Sequence, residues 1–187
     1  MPNLIDYNFQ KLIEEIQLCC NNKQYFAALS TALILPDICS KIESKQGIAQ
    51  KEGKPYILWC NKWLAQYLPS VSFWSQYEGS WGQIIYKLRC GILHSGEADV
   101  CGKNYTFFDL LDFNFYVNDG PFYAHPLKIS IAQKTGGCGH SSTAKIDIDI
   151  RYLIYAIING TQAFVEHYHL NDKDISFMSI QQIPTGN

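Results

Sequence analysis

The chain has 187 residues, enough for one compact domain with a closed apolar core. Apolar residues make up 47% and charged residues 17%, a balance that excludes a disordered chain; no apolar run approaches the ~18 residues that a spanning helix needs. A net charge of −2 excludes a surface that coats nucleic acid broadly, since such binding rests on many Lys and Arg contacts to phosphate, but it leaves room for a small cleft with a few cations.

The predicted elements follow in chain order. Residues 6–20 read as a first helix, with Phe9, Leu12, Ile13 and Ile16 at helical spacing and Glu14, Glu15 and Gln17 on the other side. A longer second helix is expected over 23–43, its stripe carried by Phe26, Leu29, Leu33, Ile34, Ile38 and Ile42. Pro36 lies inside that stripe and either kinks the helix or restarts it as a first-turn residue, because it lacks an N–H and its ring crowds the carbonyl four residues back. Asp37 follows at once.

Residues 45–54 form a polar linker with two glycines, and Pro55 opens a third helix running to Leu68 with Trp59, Trp63 and Leu64 on its apolar side. After a loop over 70–79, Ser80 is placed to cap a fourth helix whose Trp81, Ile84, Ile85, Leu88 and Ile92 make a buried face. Arg89 flanks that face, and Gln83, Lys87, Cys90 and His94 line up roughly opposite it. The period then changes to two in 104–118, 128–132 and 145–150, which predicts a small antiparallel β insertion before the last long helix. Residues 134–143, rich in Gly and Ser, read as an exposed loop. Helical spacing returns over 149–169, where Gly160 costs about 1 kcal/mol relative to Ala, and 171–187 is expected to be a flexible tail. The whole reads as a mainly α single domain over 1–187, with a bundle in 5–96 and 149–169 and a β-rich insertion in 101–148.

Seven cysteines without framework spacing read as buried thiols in a reducing compartment. With an N-terminus that lacks a basic region followed by an apolar stretch, the expectation is a cytoplasmic protein with no membrane partner. Four potential zinc ligands, Cys101, His125, Cys138 and His140, include no Cys-x2-Cys pair, so neither a metal nor another cofactor is expected. The Gly136-Gly137-Cys138-Gly139 run lacks the strand-to-helix context and the Lys-Ser/Thr of a phosphate loop. Aromatic residues of the insertion (Tyr105, Phe107, Phe108, Phe113, Phe115, Tyr116) are read as core or dimer packing before base stacking.

The stretch Leu88-Arg89-Cys90-Gly91-Ile92-Leu93-His94 places a fixed cation five residues before a side chain that titrates near neutrality. Together with Leu35-Pro36-Asp37-Ile38-Cys39, the Pro55-Tyr56-Ile57-Leu58-Trp59 start of the third helix, and the closing helix, it resembles the HEPN superfamily over roughly 5–96 and 149–169. Within that superfamily it looks like a bacterial and plasmid-borne branch. The resemblance implies an all-α bundle, a homodimer, and metal-independent endoribonuclease activity of the toxin or phage-defence kind, with Arg89 and His94 as the Arg-x4-His signature. It also implies single-stranded RNA as substrate, and an antitoxin protein as partner. Cys90 departs from the polar residue that often follows the Arg; the alternative is a catalytically inactive module that binds RNA or nucleotide, or only dimerises.

The chemistry agrees with the signature. RNA cleavage requires a 2′-OH to lose its proton, the 5′ oxygen to gain one, and the charge on phosphorus to be stabilised. His94 suits either proton transfer, Arg89 the phosphate, and Lys87 and Gln83 on the stripe of His94 are the candidate substrate-binding residues. Asp37 has two readings: by the resemblance, a carboxylate that orients His94 or Arg89, or else a helix N-terminal acid paired with Lys41. Five helical residues put Arg89 and His94 about 140° apart. They share a site only if the helix unwinds near Gly91 or a second copy supplies one half.

Overall fold

The computed structural model describes residues 4–45, 54–69, 80–95, 100–101, 110–117, 127–136, 139–170 and 178–181. Helix α1 (Phe9–Asn21) begins three residues later than its apolar pattern suggested, because Asn8 is a true cap whose side chain accepts the Lys11 N–H at 2.9 Å. The residues before it form strand β1 (Leu4–Tyr7), which pairs antiparallel with β6 (Met178–Gln181). The tail expected to be flexible therefore supplies a strand, which its composition did not signal. The end of α1 is a reversal in which Lys23 takes a left-handed φ of 59° and Gln24 N–H reaches back to Cys19 C=O at 2.8 Å.

The second predicted helix is two. α2 (Tyr25–Ala32) tightens at Leu33 and Ile34, where Ile34 N–H bonds the Thr31 carbonyl, and α3 (Leu35–Lys45) starts with Pro36 in its first turn. A proline there removes no helical bond, so the restart reading is the one realised. Ala28, Leu29, Ala32, Leu33, Leu35 and Cys39 go into the core, while Phe26 is 60% exposed, against its place in the predicted stripe. A segment apolar on nearly every side does not reveal from its own spacing which side its neighbours cover. By length and composition the helical stretch Tyr25–Lys45 could cross a membrane; 44% of its most apolar window is buried inside this fold.

The third helix changes hydrogen-bonding pattern twice: α4 (Pro55–Trp59) widens into a π-turn over Cys60–Leu64 and tightens into a 3-10 turn over Ala65–Tyr67. The π-turn lets consecutive residues meet different neighbours. Asn61 accepts the Gly82 N–H, Lys62 reaches Glu43, and Trp63 packs edge-on against Phe164 at 5.6 Å. α5 runs Trp81–Ser95 without interruption. Ser80 and Gln83 form the expected cap reciprocally: Ser80 N–H donates to Gln83 Oε1 at 3.1 Å and Gln83 N–H to Ser80 Oγ at 3.3 Å.

Before α6 (Ile150–His167) stands a four-stranded sheet of β2 (Val100–Cys101), β3 (Leu110–Tyr116), β4 (Leu127–Gly136) and β5 (Gly139–Asp149), in the order β2-β3-β5-β4. β5 is antiparallel to β4 but parallel to β3, in register from Leu110↔Thr143 to Tyr116↔Asp149. The sheet is thus mixed, not the antiparallel insertion read from the sequence. Alternation reports which face a side chain takes and is silent on the direction of the neighbour. β5 returns from its hairpin with β4 into the place beside β3, and so runs the same way as β3. The predicted 134–143 loop also shrinks, since β4 extends through Gly136 and β5 begins at Gly139.

One sheet face joins the helical core through Phe113, Ile146 and Ile148, all buried. At the end of β5, Asp149 caps α6 by accepting the Arg151 N–H at 2.9 Å. Leu153, Ile154, Ile157 and Phe164 of α6 are fully inside. Gly160 allows this helix to approach the π-turn: a Cβ there would sit 3.1 Å from the Trp63 carbonyl oxygen and 3.3 Å from Leu64 Cα. That close approach is the physical reason for a glycine inside a helix.

Candidate active site

The site is built where a side chain of α3 reaches one of α5. Pro36 and Asp37 occupy the first turn of α3, so the break after α2 sets the direction in which Asp37 leaves the backbone. On α5, the cap at Ser80, the Asn61–Gly82 bond of 2.8 Å and the buried Ile84, Ile85, Leu88 and Ile92 fix the helix on its bed. Arg89 then meets Asp37 across the two helices: Nη2 lies 2.8 Å and Nε 2.9 Å from the same carboxylate oxygen, Oδ2. The two side chains are 23% and 25% exposed, so the pair is partly desolvated yet open to solvent.

Beneath the pair lie buried polar groups. Tyr56 is interior, donates its hydroxyl to the Leu33 carbonyl at 3.2 Å, and meets the Tyr86 ring edge-on at 5.7 Å. Burial pushes its phenol well above the usual range, the nearby Cys60 and Asp37 push it further, and Arg89 pulls it back. The Cys60 thiol is raised by burial and then by Asp37, with the Tyr56 hydroxyl opposing. For Arg89, burial lowers the guanidinium pKa; the hydrogen bond and charge of Asp37, with a smaller contribution from Cys90, outweigh it, and the net direction is up. The guanidinium is a permanent cation there. The Asp37 carboxylate stays close to two groups held neutral.

Of the residues singled out in the sequence, the fold brings Asp37 and Arg89 together, and Asp37 takes Arg89, not Lys41, as its partner. His94 lies in the last turn of α5, and its side chain is outside the described residues. Because α5 is continuous through Gly91, unwinding does not bring His94 round to Arg89; the two backbone positions remain about 140° apart and about 7.5 Å along the axis. Lys87 is corrected: expected on a polar stripe, it is 4% exposed. α5 packs against α2, α4, the π-turn and β2, and this cover reaches beyond the apolar side. Gln83 closes the cap of α5. Neither joins the Asp37–Arg89 pair.

Among the described residues no three His, Cys, Asp or Glu side chains group closely enough to hold a metal. Cys101 and His140 belong to β2 and β5, with β3 between these strands, and His125 and Cys138 lie outside the described residues. Of the insertion aromatics, Phe113 is buried and stacks on Phe115 at 6.2 Å, while Tyr105, Phe107 and Phe108 are also outside the described residues.

Sequence reasoning passed over a second polar cluster. Glu43, buried near the end of α3, accepts from Lys62 Nζ at 2.8 Å and from the Tyr168 hydroxyl at 3.0 Å. Its one signal is an acid directly after Ile42 and four residues from Cys39, on the side of the helix that the apolar residues claim.

Comparison with protein-family models, with curated proteins and with solved structures finds no match for this chain.

Proposed function

We propose that the protein is a metal-independent endoribonuclease of HEPN type, acting on single-stranded RNA in the cytoplasm in the manner of a toxin or phage-defence nuclease. The observation that carries the reading is the Asp37–Arg89 contact at 2.8 Å, which joins the Leu-Pro-Asp turn of α3 to the Arg of the Arg-x4-His string. Those are two of the segments that the family resemblance rests on.

In this reading Arg89 holds the phosphate with N–H donors, and Asp37 keeps the guanidinium oriented. His94 takes the proton of the 2′-OH or gives one to the departing 5′ oxygen. The 2′ oxygen forms a new bond to phosphorus as the P–O5′ bond breaks, leaving a 2′,3′-cyclic phosphate and a 5′-hydroxyl. Arg89 and His94 on a continuous helix face different directions, so the complete site takes its Arg from one chain and its His from a second copy, in a homodimer with the α5 helices near the axis. A nuclease of this kind needs restraint, which a small antitoxin protein would supply.

A second reading is a catalytically inactive module that binds RNA or nucleotide, or serves dimerisation alone. The observation in its favour is Cys90, which stands directly after Arg89 in the place where a polar residue is often found. An RNA-cleavage assay with excess EDTA separates the two. The nuclease cuts in the chelator and leaves cyclic-phosphate ends, and its expression slows growth. Wild-type protein that leaves RNA intact puts the binding module ahead.

A further inference from the structure

We propose that Glu43, with Lys62 and Tyr168, is a positioning cluster for the Asp37–Arg89 pair: it sets the register of α3 from the far end of the helix. This rests on reading Asp37 and Arg89 as part of the reacting centre.

Three observations carry it. First, the cluster is a closed triangle: Lys62 Nζ and the Tyr168 hydroxyl both donate to Glu43 Oε1, and Lys62 Nζ lies 3.2 Å from the Tyr168 hydroxyl. The Lys62 ammonium also sits over the rings of Trp63 at 4.7 Å and Tyr168 at 5.7 Å. The Glu43 side chain is only 10% exposed, whereas Lys62 is 49% exposed, so the carboxylate is the inward anchor and the ammonium its lid. Second, the cluster draws on three elements: α3, the π-turn and the residue just after α6. Third, the junction that joins α3 to α2 is tightened at Leu33 and Ile34 and short of one backbone donor, since Pro36 brings no N–H.

The side chains of α3 therefore share in fixing its rotation and slide. Glu43 lies six positions after Asp37, which puts them about 120° apart around the axis and about 9 Å along it. Two carboxylates anchored on different sides at opposite ends define both motions. A slip of 1 Å at the Glu43 end would carry Asp37 out of hydrogen-bond range of the guanidinium.

The test is the coupling between Asp37 and Arg89, read from unfolding equilibria of Asp37→Asn, Arg89→Met and the double variant, first in the wild-type background and then with Glu43→Gln. In the wild type the coupling should amount to roughly tenfold in the unfolding equilibrium constant. With Glu43→Gln it should fall to about twofold or less. Tyr168→Phe, which removes a single hydroxyl and is the milder change, should lower the coupling in the same direction and serves where Glu43→Gln does not fold. A cluster that merely adds stability would shift every variant equally, and an unchanged coupling in the Glu43→Gln or Tyr168→Phe background overturns the proposal. The readout needs no RNA cleavage, so an inactive wild type would sink the nuclease reading without deciding this one.

Discussion

Arg89→Ala is expected to reduce RNA cleavage by about a thousandfold, the usual scale for losing a donor that meets charge developing in the transition state. The effect should fall mainly on kcat, because the negative charge on the phosphate oxygens grows as the 2′ oxygen attacks. Arg89→Lys should recover only part of the loss. A lysine keeps the charge but not the planar edge whose Nε and Nη2 both address Asp37 Oδ2, so its head is left without a fixed direction. Single-turnover rates with a labelled single-stranded RNA measure this, and a thermal melt run beside them separates lost chemistry from lost fold. Equal cleavage by wild type and Arg89→Ala would remove Arg89 from the mechanism.

Gly82→Ala should destabilise the protein, although the same change at an ordinary helix position stabilises by about 1 kcal/mol. Steric crowding reverses the sign. A Cβ at Gly82 would land on the Ile57 carbonyl oxygen and lie 2.8 Å from Asn61 Oδ1. Both neighbours belong to the α4 and π-turn segment, and Asn61 already accepts the Gly82 N–H. Overpacking of this sort costs about 1–3 kcal/mol, and the hydrogen bond lost as the helices part costs about 1 more. Against the propensity gain the net loss is about 1–3 kcal/mol, a fall in Tm of roughly 3–9 °C for a chain of this size. Because α5 carries Arg89, the displaced helix should also weaken cleavage. An unchanged or higher Tm would mean that α4 and α5 are farther apart than described.

Local features were the legible ones. Spacing located the buried faces of α1, α5 and α6; Ser80 announced the start of α5; Pro36 marked a discontinuity; and the period-two segments identified three strands. The Asp37–Arg89 contact spans 52 residues and was reached through the family resemblance, since spacing alone gave Asp37 an equal partner in Lys41. What stayed hidden depends on which neighbour covers a face. Lys87 reads as a surface cation until α5 is seen to be enclosed, and Phe26 reads as core until α2 is seen to turn it outward. The parallel pairing of β3 with β5 follows from where the β4–β5 hairpin returns, which no local pattern encodes. The Glu43 cluster joins residues 19 and 125 positions apart and was invisible for the same reason.

The central claim, a nuclease site shared between two copies, is tested most directly by mixing two inactive variants. Arg89→Ala and His94→Ala chains, each without cleavage activity alone, are unfolded together in equal amounts, refolded, and assayed on single-stranded RNA in EDTA. Half of the resulting dimers are mixed, and each mixed dimer holds one site with an intact Arg89 from one chain and an intact His94 from the other. Cleavage should therefore return to about a quarter of the wild-type rate. A refolded mixture that contains dimers and stays as inactive as its parents would contradict the shared site.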